Sequence, residues 1–212
     1  MIVYIIRHGE TLANASGRIQ GQTDSPLSPR GLQQCQRVAE ALGSSRIEAV
    51  FSSPLRRARD SALPLAKALN LEVQLDDRLL EINAGIFQGL AWDEIGQRYP
   101  AEAAKWRSHD PDFVIPDGES RRGLMERAEV FFRQLPATGY EQVAVVAHGG
   151  ILAAALKALL EVPARRNPFA LNNGSISRLS IDGQASSNGD VKLLTLNDTA
   201  HLSGAAGNGG VL

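Results

Sequence analysis

The sequence predicts an α/β fold, a three-layer α/β/α sandwich around a mostly parallel central sheet. Three observations predict it. Two apolar runs rich in β-branched residues, Ile2 to Ile6 and Val143 to Ala147, have the length and composition of buried strands. Short apolar runs alternate with helical segments across short connections, the pattern of a sheet covered on both faces. A chain of 212 residues, 43% hydrophobic and 21% charged, is ample for one such core.

The first run delivers Arg7-His8-Gly9-Glu10-Thr11, so polarity switches at the carboxyl end of a strand, where open α/β sheets place ligands. Ser28 and Pro29 open a helix that runs to about Gly43. Ala49-Val50-Phe51 reads as a short strand ending at Ser52 or Ser53, a good N-cap, with Pro54 at the first helical position and the helix continuing to Leu69. That places Arg57 in a first turn, where a cation opposes the helix dipole unless an anion lies between the two. Arg56 and Arg59 are expected to be solvated.

A short strand follows at 72–75. From 91 to 113 the pattern is helical but less regular, with Trp92, Tyr99 and Trp106 packing as a cap. Pro111, Pro116 and Gly118 mark a loop before a helix from Glu119 or Ser120 to Leu135. The strand at Val143 to Ala147 ends in His148-Gly149-Gly150 and leads into an apolar helix. Its glycines admit close approach of a ligand, and its first N–H groups face an anion. Ser175 to Ile181 and Val191 to Leu196 read as a closing hairpin joined by a Gly/Ser/Asn-rich turn. One domain therefore spans 1–202, with a helical cap insertion at about 91–118. Residues 203–212 form a tail expected to be mobile.

An imidazole at such a strand end can attack phosphorus while an adjacent arginine holds the phosphoryl oxygens; an ordinary surface histidine is the alternative. Two strand–His–Gly contexts about 140 residues apart favour one site assembled from both ends of the chain. The blocks R-H-G-E-T, R-I-Q-G-Q-T-D-S-P-L-S-P-R-G, S-S-P-L-R-R-A, L-L-E-I-N-A-G-I-F-Q-G and A-H-G-G, in that order, resemble the motifs of the histidine phosphatase superfamily, the phosphoglycerate-mutase-like group. The resemblance implies His8 as nucleophile, with Arg7, Arg57 and His148 around the phosphoryl group and Asn14 adding an amide. It implies Glu81 as general acid, with Gln20 and Gly21 as pocket wall beside Gly149. Two arginines and an imidazolium could neutralise the transferring group without a metal or a cofactor. A solvated loop carboxylate beside Asp76 and Asp77 is the plainer reading of Glu81. His201, in Asn197-Asp198-Thr199-Ala200-His201-Leu202, could reach back to the pocket mouth, whereas His109 in its polar loop needs no function.

A net charge of −1 argues against a general nucleic-acid or membrane-surface binder, although eighteen of the twenty-two cations are arginine, the residue that grips phosphate in bidentate fashion. The single cysteine, Cys35, excludes an internal disulfide and sits in a helical apolar pattern as a core thiol. No phosphate loop, dinucleotide turn or nucleophile elbow is present. Met1-Ile2-Val3-Tyr4 enters the first strand without a basic leader, and no apolar stretch reaches spanning length, so the cytoplasm is the expected compartment.

The expected function is a phosphatase acting on a small phosphorylated metabolite. Phosphoserine leads, because the N-D-T-A-H-L tail resembles that of metal-independent phosphoserine phosphatases. A bisphosphoglycerate-dependent mutase is the alternative. It is disfavoured because no basic cluster follows Glu81 before Arg121 and Arg122. A non-catalytic phosphate-ester-binding module is the third reading, and pairing of two copies as a homodimer is possible.

Overall fold

Six strands form one sheet among the described residues, 1–182 and 191–203, of the computed structural model. Strands β1 (Ile2–Arg7), β2 (Ala49–Ser52), β3 (Val73–Leu75) and β4 (Gln142–Ala147) are parallel, and β5 (Ile176–Ile181) and β6 (Val191–Asp198) continue the sheet antiparallel. The order is β3-β2-β4-β1-β5-β6. The hairpin turn and the tail from 204 onward lie outside the described residues.

Successive side chains of a strand point to opposite faces, and the apolar runs use both. Val3, Ile5, Phe51, Val143 and Val145 meet Leu124, Ala128, Phe131 and Phe132 of α6 (Arg121–Gln134) and Ile151, Leu152 and Leu156 of α7 (Gly149–Leu159). The intervening Ile6, Val50, Ala144 and Val146 meet Val38, Ala39 and Leu42 of α2 (Pro29–Leu42) and Ala62, Leu65 and Ala66 of α3 (Arg56–Leu69). This is the α/β/α sandwich that continuous apolar strands require. Cys35 lies buried on α2 as expected. A single turn, α1 (Leu12–Ala15), follows β1. The cap insertion forms two short helices, α4 (Trp92–Arg98) and α5 (Pro100–Arg107), and Trp92, Tyr99 and Trp106 pack against the α6–α7 side of the core. No described helix is long and apolar enough to cross a membrane.

Two boundaries differ from the sequence reading. Helix α3 starts at Arg56 with Leu55 at the N-cap, so Pro54 stays in the preceding turn. The reason is that neither serine is free to cap: Ser52 Oγ donates to Ser53 O, and Ser53 Oγ is engaged by His148 and by the Leu55 N–H. Strand β6 also runs on to Asp198, because Ile176 on β5 pairs with it past an irregularity in the register.

Phe132 is fully buried and packs edge-to-face on Phe131 at 5.2 Å between α6 and the sheet. Phe132→Ala should cost about 3–5 kcal/mol, read as a lower urea midpoint at unchanged slope.

Candidate active site

The parallel strands end together. Arg7 pairs in register with Ala147 and Ser52 with Val146, so the residues that follow, His8, His148 and Ser53, share one edge of the sheet. A backbone bond from His8 N to Ala147 O, 2.9 Å, fixes the first two strand ends against each other. The rings of His8 and His148 meet edge-on with centroids 5.1 Å apart, and both are buried.

Hydrogen-bond partners define the two tautomers. His8 Nδ1 lies 2.7 Å from Gly9 O, an acceptor only, so Nδ1 carries the proton and Nε2 keeps a free lone pair. Arg57 Nε donates to His148 Nδ1 at 3.1 Å, so the His148 proton sits on Nε2 and is directed at Ser53 Oγ, 2.8 Å away. Burial, then the charges of Arg57 and Arg7, hold the pKa of His8 well below the usual imidazole range. Burial and then Arg57 do the same to His148. Both rings are therefore neutral in this structure, which corrects the expectation of an imidazolium at 148.

The guanidinium groups are anchored differently. Arg57, 1% exposed, donates from Nη1 to Thr23 O at 2.7 Å and from Nη2 to Gly21 O at 2.6 Å, with Asp24 Oδ1 at 3.4 Å from Nη1. Asp24 Oδ2 also accepts from Arg56 N at 3.2 Å. The anion expected between Arg57 and the α3 terminus is thus the protein's own carboxylate. Arg7 donates from Nη1 to Leu171 O at 2.5 Å, while its buried Nε has no partner; burial lowers its pKa to about 10. Arg56 and Arg59 are solvated, as expected.

Glu81 is buried rather than solvated. Its Oε1 accepts from Ile82 N at 2.8 Å and Ile151 N at 3.0 Å, and its Oε2 from Gly150 N at 2.9 Å. The Gly150 and Ile151 N–H groups of the α7 N-terminus thus hold this carboxylate, where the sequence reading expected an anionic ligand. Arg127 clamps the backbone behind it, donating to Leu80 O at 2.6 Å and Glu119 Oε1 at 2.6 Å. A Cβ at Gly150 would lie 2.4 Å from Glu81 Oε1, and one at Gly149 would lie 3.3 Å from Arg7 Cζ. Both glycines are there for close approach, and the Gly149 N–H stays without a protein partner among the described residues.

A cavity of about 550 Å³ opens over these groups, lined by Arg7, His8, Arg57, Glu81 and Gly149 and walled by Asn14, Gln20 and Gly21. Asn14 Oδ1 accepts from Thr11 and from Asn173 Nδ2, which directs its own amide N–H groups elsewhere. Gln20 Oε1 is buried without a partner. Gly21 takes φ +55°, which turns its carbonyl to Arg57, and a Cβ there would meet Gln88 at 2.5 Å. His201 does not line the cavity; its Nε2 bonds Gly174 O at 2.9 Å. His109, expected to be idle, does line it, at the cap.

A match to the histidine phosphatase superfamily (branch 1) covers residues 3–197. The chain belongs to the histidine phosphatase superfamily. Membership, together with relatives named as phosphatases, makes it a phosphoric monoester hydrolase by class. It is 32% identical over 200 residues to phosphoserine phosphatase 1 of Hydrogenobacter thermophilus, covering 93% of this chain and 92% of that one. It is 38% identical over 213 residues to the probable phosphoglycerate mutase GpmB of Proteus mirabilis, covering 96% of each. A solved mycobacterial glucosyl-3-phosphoglycerate phosphatase, in complex with VO3, superposes with TM-score 0.84 at 33% identity, covering 93% of this chain and 99% of that one.

Several residues of this histidine phosphatase site escaped sequence reasoning. Asn173 Nδ2 donates to His8 O at 3.0 Å from an aperiodic segment with no strand or helix signal. Ser53 holds His148, and residues 167–172 line the cavity from the same aperiodic region. Lys157 had a readable signal, as the one charge in an apolar helix.

Gly150→Ala should displace the Glu81 carboxylate and lower kcat by about 10²-fold, the scale of one general acid–base group, in steady-state hydrolysis of an aryl phosphate. The histidines predict a pH dependence as well. The unfolded chain takes up protons at both rings below about pH 6.5 while the folded chain does not, so stability is full above that pH and falls below it. The loss should be about 1.4 kcal/mol per ring per pH unit. Urea unfolding at a series of pH values checks this, and His148→Gln should flatten the slope.

Proposed function

We propose that the chain is a metal-independent phosphatase that hydrolyses a small phosphomonoester through a phosphohistidine at His8. The observation that supports it most is the free Nε2 of a neutral, buried His8, with Nδ1–H tied to Gly9 O and two guanidinium groups alongside. Nε2 attacks phosphorus, the ester P–O bond breaks, and the leaving alkoxide takes a proton from the Glu81 carboxyl. Water then attacks the phosphohistidine, Glu81 receives its proton, and phosphate departs as His8 regains its lone pair. Arg7, Arg57 and the Gly149 N–H carry the charge that spreads over the equatorial oxygens. With both rings neutral and Glu81 carrying the proton it gives, two cations face the single Asp24 carboxylate, a net positive charge that draws in an anionic phosphate.

Phosphoserine is the reference substrate, supported by the tail resemblance and by the Hydrogenobacter relative. A mutase is the second reading, favoured by a spatial finding. Arg107 and Arg121 both line the cavity. The basic cluster missing along the chain after Glu81 is therefore present in space.

The test is phosphate release from phosphoserine, 3-phosphoglycerate, sugar phosphates and an aryl phosphate in EDTA, for wild type and His8→Ala. Chelator-resistant release that His8→Ala abolishes is the expected result. Isomerisation of 3-phosphoglycerate with bisphosphoglycerate, without net release, would make it a mutase. Saturable binding of phosphate esters with no turnover would make it a binding module.

A further inference from the structure

Away from the strand ends, the cavity holds a second pair of cations that phosphoryl transfer does not use. Lys157 lies eight residues after Gly149 on the α7 face that also turns Ala153 to the cavity. It is 4% exposed, and its Nζ donates only to Ala164 O, at 2.6 Å, which leaves two N–H donors. Arg121 opens α6 with its guanidinium carbon 3.4 Å over the Trp106 ring. It makes no hydrogen bond among the described residues, and its Nη1 is buried. Its neighbour Arg122, also against the helix dipole, is held by a bidentate pair with Asp112.

Burial, then the Arg121 charge, lowers the pKa of Lys157. Burial takes Arg121 down to about 10, with the charge of Asp110 opposing the shift but forming no ion pair. Two neighbouring cations taken out of water without a paired carboxylate are costly, and a bound anion would offset that cost.

We infer that Arg121 and Lys157 form a distal anion subsite, which selects phosphomonoesters carrying a carboxylate or a second phosphate far from the scissile group. The inference rests on the phosphatase reading and names its substrate class. At 1.5 Å per residue, Lys157 stands about 12 Å along α7 from Gly149, whose position abuts Arg7. Phosphoserine and 3-phosphoglycerate separate phosphorus from carboxylate by four bonds, roughly 5 Å, less than half that length. A phosphorylated six-carbon sugar acid has seven bonds between them, roughly 9 Å, within reach of a long lysine side chain.

The test compares 6-phosphogluconate with sorbitol 6-phosphate, open chains that differ only by a terminal carboxylate in place of an alcohol. Wild type should favour the acid by about tenfold or more in kcat/KM, the scale of one charge-assisted hydrogen bond. Arg121→Gln should bring that ratio near one, and Arg122→Gln should leave it unchanged. Calorimetric binding of the same pair to His8→Ala, with and without Arg121→Gln, should show the same preference and the same loss. Lys157→Gln serves as the second variant should Arg121→Gln not fold. Equal use and equal binding, or a preference that survives both substitutions, overturns the subsite. A binding preference without hydrolysis of any ester keeps the subsite and overturns the phosphatase reading.

Discussion

Two guanidinium groups buried at the carboxyl edge of a parallel sheet, Arg7 and Arg57, set the terms for what surrounds them. A charge removed from water costs several kcal/mol unless hydrogen bonds and countercharge compensate. Arg57 is compensated by the carbonyls of Gly21 and Thr23, by the His148 ring and by Asp24. Arg7 has one carbonyl, Leu171 O, and the charge of Glu81. The loops follow from this. Gly21 takes a left-handed conformation so that its carbonyl faces Arg57, and the 167–172 segment crosses the site so that Leu171 O reaches Arg7. Gly149 and Gly150 keep α7 close to Arg7 and Glu81.

Burial, and then the same two charges, decide the state of the histidines. A further positive charge buried between them is disfavoured, so His8 and His148 stay neutral, and one hydrogen bond apiece sets opposite tautomers. The protein's own carboxylates also occupy both helix termini that face the site, Asp24 at α3 and Glu81 at α7. In the mechanism we propose, a phosphoryl group would be gripped by side-chain cations and the Gly149 N–H. The α7 dipole would act on Glu81 as proton carrier, which links the helix to leaving-group chemistry more than to phosphate binding.

The strands and their ends were legible because burial on both faces leaves a plain mark, β-branched runs that stop at His8 and His148. Arg57 was legible because a cation in a first turn needs a reason. The reason itself was not: Asp24 lies 32 residues before Arg56, and no local pattern ties the two. The start of α3 was misplaced for a related cause, since Ser53 is a good cap only if no distant ring claims its hydroxyl. Asn173, 165 residues from His8, and Arg127, behind Glu81, act across the fold on backbone carbonyls and leave no trace in periodicity. His201 fails in the other direction, because a polar residue near the tail finds the Gly174 carbonyl rather than the cavity.

In the proposed scheme, chemistry and selection sit on physically different parts of this fold. The floor is built on β1, β4 and α3, whose positions are locked by ladder bonds and by buried charge. The wall comes from the β3–β4 and β4–β5 crossovers, where Arg121 rests on Trp106 by a cation–π contact and Lys157 by a single carbonyl. The bond that reaches His8 from these crossovers, from Asn173, meets its backbone carbonyl, while the ring is tied to Gly9 O, so its tautomer and free Nε2 do not depend on what the wall holds. On the proposed reading, substitutions at Arg121 and Lys157 can therefore change which ester is drawn in while the His8 ring stays as it is. Substitutions among the floor's glycines cannot, because there the packing distance and the catalytic geometry are the same distance.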